Sequence, residues 1–217
     1  VIDPVLTISL PPRFTAFTGM DTLSHAIESI MSIYCAPVVM GISMEVVSLV
    51  NTNLPIAYFN GSNIQARYNM CIAATLGGLC LNAEVVLGHS IGYTLEDHFG
   101  VPHGLGCAIA LPHIIKFNAP VISDKLKRLA KALGLNDNRI NNPIQTTSYV
   151  VETIKHLNVL FGIPLSLQSM AVDKEKIKEL ADECFSKYPS PRNPREYSKD
   201  DIVTLYEQLW SGDLDIS

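Results

Sequence analysis

The chain has 217 residues, 47% of them hydrophobic and 17% charged, which gives enough apolar surface for one domain with a sizeable core and excludes a disordered tail. A formal net charge of −5 with no basic stripe argues against nucleic acid as a partner. The five cysteines, Cys35, Cys71, Cys80, Cys107 and Cys184, are scattered and never form a C-x-x-C pair, so each reads as a small buried hydrophobe in a reduced, cytoplasmic setting.

Residues 3–14 carry Pro4, Pro11 and Pro12 and read as an extended or turning lead-in, with a short strand near Leu6–Leu10 as the alternative. From Thr15 to about Ile33, Phe17, Met20, Leu23, Ile27, Ile30 and Met31 recur at three- and four-residue steps, which predicts an amphipathic helix. A second helix is expected over 37–50. The apolar window 36–50 is interrupted by Glu45 and falls short of the roughly 20 residues that span a bilayer, so it reads as a core helix with no membrane partner. Pro55 and Asn60-Gly61-Ser62 punctuate a separate run after it.

Asn63 is placed to cap a helix reaching residue 82, in which Ala73, Ala74, Gly77 and Gly78 would seat the helix carrying His89 at short range. No strand precedes these glycines and no G-x-G-x-x-G is present, so they form no nucleotide cradle. Pro112 is expected to end the helix that follows His103, leaving His113 as a helix-end side chain. Residues 118–134 predict an exposed amphipathic helix with Lys125, Lys127, Arg128 and Lys131 outward, stopped by Gly134. The polar loop 135–143 is the clearest break in the chain. Pro143 then opens a helix to Phe161, while Asp173 and Ser198 cap the last two. Eight to ten helices and no convincing alternating strand give an all-α fold.

The residues with the most chemistry lie in two stretches, 19–28 and 86–104. Asp21 and His25 are four apart, so on a helix their side chains leave one face with Cβ atoms roughly 5–6 Å apart. Glu28 continues that stripe and reads first as a solvated helix-face charge, with a hydrogen bond to a ligand histidine as the alternative. His89 and His103 each sit near a helix start, and the chain between them is long enough to fold His103 back towards His89. One carboxylate and three imidazoles suit a divalent cation such as Fe²⁺ or Zn²⁺ that keeps a position open for substrate.

The strings GMDTLSHAIE at 19–28, GH at 88–89 and FGVPHG at 99–104 together resemble the iron-dependent (group III) alcohol dehydrogenases. The resemblance extends to DPVLTISLPP at 3–12, ALPHIIKFN at 110–118 and NPR at 193–195. It implies a metal held by Asp21, His25, His89 and His103, and an all-helical metal-binding domain over 1–217 of the dehydroquinate synthase-like, C-terminal type. The α/β nucleotide-binding domain with which such enzymes begin is absent from this chain, so NAD or NADP is expected only together with that domain. Many relatives carry a further histidine where this chain has Tyr93, which leaves Tyr93 as a pocket-lining catalytic candidate. The activity implied is interconversion of an alcohol with an aldehyde or ketone by hydride transfer, on a small-molecule substrate and with a homo-oligomer left open. The alternatives are a dehydroquinate synthase- or glycerol dehydrogenase-like metalloenzyme domain and a catalytically silent helical fragment.

Overall fold

A computed structural model describes residues 1–135 and 141–214. The described residues form nine α-helices and no strand: α1 (Pro12–Met31), α2 (Pro37–Phe59), α3 (Ile64–Cys80), α4 (Leu87–Phe99), α5 (His103–Asn118), α6 (Ser123–Ala132), α7 (Pro143–Leu160), α8 (Ile177–Ser186) and α9 (Lys199–Ser211). The lead-in is a 3-10 turn, Pro4–Thr7, rather than a strand, and the buried Arg67 of α3 holds it in place. That guanidinium donates to Leu10 O at 3.2 Å, Thr15 Oγ1 at 2.7 Å and Gly61 O at 2.9 Å.

α1 is the central element and packs on α2, α3 and α5, while α4 lies along α5, and α7 and α9 cover the far side of α5. One contiguous apolar core runs through these contacts, with Met20, Leu23, Ile27, Leu54, Leu87, Ile91, Leu111 and Tyr206 fully enclosed. Gly77 faces Thr22 of α1, so α3 seats α1 rather than the helix carrying His89, and Gly78 faces open space.

Several caps expected from sequence form as hydrogen bonds. Asn63 Oδ1 accepts from Ala66 N and Asp173 Oδ1 from Glu175 N, and Asn142, which the sequence reading did not single out, caps α7 by accepting from Gln145 N. Ser198 and Asp201 make a reciprocal capping box at the start of α9. Of the polar loop 135–143, residues 136–140 lie outside the described residues.

Two prolines expected to break helices sit inside them. α2 is one helix through Pro55, so the apolar run does not stop at residue 50, and α2 is long and apolar enough by length and composition to cross a bilayer. Here its inner face packs on α1 and α3. α5 continues through Pro112 to Asn118, which buries His113 in mid-helix rather than leaving it at an end. Proline removes the amide that would bond the carbonyl four residues back, which is that of Ala108. Asn158 Nδ2 of α7 donates to that oxygen instead, at 2.8 Å.

The α6 prediction also needs a correction. Lys125 turns inward and donates to Met31 O at 3.1 Å and Ser32 O at 2.8 Å, placing its charge at the C-terminal end of α1.

Candidate metal centre

Three segments distant in sequence converge where α4 and α5 meet α1. Asp21 and His25 stand one turn apart on α1, with side chains 24% and 21% exposed. His89 is the third residue of α4 and His103 the first of α5. The turn between them is made by Gly100 at φ +63° and restarted by Pro102.

Asp21 Oδ1 lies 3.8 Å from His25 Nε2, 3.7 Å from His89 Nε2 and 3.8 Å from His103 Nε2. The His25 and His89 rings stack with centroids 4.8 Å apart, and His89 and His103 are 5.3 Å apart. These separations are too long for hydrogen bonds. They suit atoms that share a cation, each held at about 2.0–2.2 Å from it. Asp21 Oδ1 and His89 Nε2 are buried and have no hydrogen-bond partner. Such groups normally cost about 1–3 kcal/mol each unless something binds them.

Glu28 is completely buried, which overturns its reading as a solvated charge. Its Oε1 accepts from His89 Nδ1 at 2.8 Å, while Oε2 accepts from Val86 N at 2.9 Å and His89 N at 3.3 Å. One carboxylate therefore caps α4, which lacks a side-chain cap of its own, and orients the His89 ring. With Nδ1 donating to Glu28, His89 presents the lone pair of Nε2 to the cluster. Gly88 makes the approach possible, because a Cβ there would stand 2.3 Å from Glu28 Oε1.

Burial lowers the His25 pKa against the opposing pull of Asp21. For His89 burial also acts downward, but the bonded Glu28 carboxylate, with Asp21 behind it, outweighs burial and holds the pKa above the usual value. His103 Nδ1 lies 3.3 Å from Glu96 Oε2, off the hydrogen-bonding direction.

Tyr93 stacks on His103 with centroids 5.0 Å apart and meets Tyr188 at 5.2 Å. Burial pushes its phenol pKa up. A cavity of about 430 Å³ borders the cluster, lined by Val86, His89, Ser90, Tyr93, Lys187 and Tyr188 among others. Lys187 is paired with Asp97 at 2.7 Å and Glu183 at 2.8 Å, so its charge is already matched.

The other histidines stand apart. His98 pairs with Glu183 and lies 3.9 Å from Glu179, both on α8. His113 is buried in α5, and His156 is exposed on α7. Sequence reasoning missed Cys107. Its Sγ is 3.5 Å from His103 Nε2, and one donor atom from each of Asp21, His89, His103 and Cys107 lies within 4.8 Å of every other. His25 is not part of that tightest set. The available signal was the four-residue step from His103 to Cys107, the same step that joins Asp21 to His25.

Comparison with known proteins finds the model of the Fe-containing alcohol dehydrogenase family, C-terminal, matching residues 15–210. A 1,3-propanediol dehydrogenase of Klebsiella pneumoniae is 30% identical over 209 residues, covering 96% of this chain and 54% of that protein. An NAD-dependent methanol dehydrogenase of Bacillus methanolicus is 31% identical over 206 residues, covering 94% and 54%. Among solved structures, a 1,3-propanediol oxidoreductase superposes with a TM-score of 0.92 at 30% identity, covering 96% of this chain and 55% of the other. The chain spans about half the length of the curated relatives it matches.

Proposed function

Since the chain belongs to the Fe-containing alcohol dehydrogenase family, we propose that residues 1–217 are the metal-binding catalytic domain of an NAD(P)-dependent alcohol dehydrogenase. In this reading Asp21, His25, His89 and His103 hold one divalent cation, iron or zinc. The observation that carries it is the ring of three imidazole Nε2 atoms 3.7–3.8 Å from an unpartnered Asp21 Oδ1. NAD or NADP is assigned to the part of the relatives' length that residues 1–217 do not span.

A cation held there acts as a Lewis acid that lowers the pKa of an alcohol and polarises an aldehyde. The chain's own residues supply the rest. Glu28 fixes the tautomer and angle of His89, so that Nε2 is available without a rotamer search. Tyr93 and Tyr188 wall the cavity with aromatic faces. Because Lys187 is neutralised by Asp97 and Glu183, the cavity suits a small uncharged alcohol or aldehyde over an anionic one. The net reaction moves a hydride from the alcohol carbon to nicotinamide and the hydroxyl proton to solvent, leaving an aldehyde or ketone.

Elemental analysis of protein purified without chelator tests this reading. About one divalent metal per chain is expected, with a melting temperature that falls when the metal is removed, because three distant segments lose their cross-link. Metal-free protein that melts unchanged after metal addition would refute it.

A further inference from the structure

Among the described residues, two that are not glycine have positive φ, Ala171 and Glu84. Ala171 sits in the left-handed helical well at φ +58° and ψ +27°. Glu84 lies at φ +59° and ψ +162°, a region essentially reserved for glycine. A residue stays there only where its surroundings impose it, and such residues concentrate at functional sites. Glu84 occupies the corner where the helical run 64–83 turns by 109° into α4, and it lines the cavity that borders His89.

Its side chain is fastened to the other side of that cavity. Arg192, which follows the cavity-lining Pro191, donates from Nε to Glu84 Oε1 at 3.1 Å. Arg192 is itself a fixed anchor. Its guanidinium lies 4.0 Å over the Tyr34 ring, its carbonyl accepts from Ile33 N at 3.1 Å, and the next residue, Asn193, exchanges hydrogen bonds of 2.9 Å with Asn118. The far end of the corner is held separately, because Glu28 accepts from Val86 N and His89 N. Val85 is left between the two fastenings, half-buried and lining the cavity. An exposed ion pair is worth too little to offset a backbone of this kind, so the contact is not explained by stability.

We propose that Glu84 is a positioning residue for substrate size: clamped to Arg192, it fixes the strained corner so that Val85 stays in place as part of the cavity wall, which sets the width available to an alcohol or aldehyde. This rests on the reading above, which gives that cavity to substrate. His89 does not depend on the clamp, since Glu28 already holds the start of α4 and the imidazole ring. A glycine at position 84 adopts the same φ and ψ without strain but cannot hold the corner. A glutamine keeps the shape and the strain while replacing a charge-assisted hydrogen bond by a weaker neutral one.

The test uses the full-length enzyme, with the NAD(P)-binding part that the reading above requires, as wild type, Glu84→Gly and Glu84→Gln. Glu84→Gly is expected to melt no lower than the wild type, because released strain offsets the lost ion pair and the extra freedom of the unfolded chain. Amide exchange over residues 81–86 becomes faster, and the kcat/KM ratio of 1-hexanol to ethanol rises at least about tenfold, mostly through a higher KM for ethanol. Glu84→Gln moves exchange and selectivity in the same direction by less, and bound metal stays at the wild-type level in both variants. Unchanged selectivity in Glu84→Gly would overturn the proposal, whether the melting temperature falls, which would make Glu84 a purely structural residue, or metal is lost, which would make it a support of His89. If Glu84→Gly does not fold, Glu84→Gln decides by the same readouts. A wild-type enzyme that oxidises neither alcohol would refute the reading of the site and this proposal together.

Discussion

Glu28 shows how much of the site depends on a residue that need not touch the metal. Its carboxylate has three donors, and two of them are backbone amides at the start of α4. Glu28→Gln keeps the shape but brings its own N–H₂ towards one of those donors, so His89 loses its fixed tautomer. Metal affinity should fall about 10–100-fold, measured by competitive titration with a chromophoric chelator. An unchanged affinity would mean that the Glu28 contact does not orient His89. The spacing of Asp21, His25 and Glu28 was legible in sequence as one helical stripe, but the burial of Glu28 was not. Whether a helix-face carboxylate meets water or another helix is decided by α4, whose closest glycine lies sixty residues further along the chain. His113 was misplaced for a related reason, since its helix was expected to stop one residue earlier. Burial lowers its pKa from 6.5 to about 3. Between these values it is neutral when folded and protonated when unfolded, so its contribution is intact above pH 6.5 and is lost as pH falls towards 3. The loss approaches about 1.4 kcal/mol per pH unit. Urea denaturation at pH 7 and pH 5 should therefore show the wild type losing up to about 2 kcal/mol more than His113→Gln. Equal losses would remove His113 as a source of acid sensitivity.

At the scale of elements, the period of the apolar residues was enough to find α1, while Asn63 and Ser198 marked the starts of α3 and α9, Pro143 that of α7, and Asp173 the 3-10 turn that leads into α8. Proline was the weak signal. Pro112 reads as a stop only while nothing else can satisfy Ala108 O, and the donor that does so is an asparagine fifty residues away. A partner of that kind leaves no local trace in sequence. Asn158→Leu should therefore destabilise the protein by about 1–3 kcal/mol, because it strands a buried carbonyl beside a proline that cannot serve it. Chemical denaturation of the variant checks this. A loss below about 0.5 kcal/mol would show that α5 runs through Pro112 without needing an outside donor. Lys125 follows the same logic in reverse. A charge pattern that reads as a solvated face delivers one lysine to the end of α1, and only the packing of α6 reveals it.

At the scale of the molecule, the fold brings residues 21, 25, 89 and 103 to one point by packing α5 on α1 and α4 along α5. The all-α class was legible in the run of helical segments, while the joint ligand role of these four side chains was proposed from the family resemblance, with the Asp21/His25 step and the two helix starts making it geometrically feasible. Cys107 left only the four-residue step from His103 as a trace in sequence, because its neighbourhood is set by the missing side chain of Gly92 on another helix. The central claim is that the carboxylate and three imidazoles on these segments are metal ligands while the remaining histidines are bystanders. Competitive metal titration of alanine variants at all six histidines tests it most directly. Binding should weaken by more than about 100-fold for His25→Ala, His89→Ala and His103→Ala, exceeding what loss of an orienting residue costs, and change little for His98→Ala, His113→Ala and His156→Ala. His98 is the discriminating control, because it lies five residues before His103 yet pairs with Glu183 on α8. Loss of metal in His98→Ala with retention in His89→Ala or His103→Ala would contradict the account.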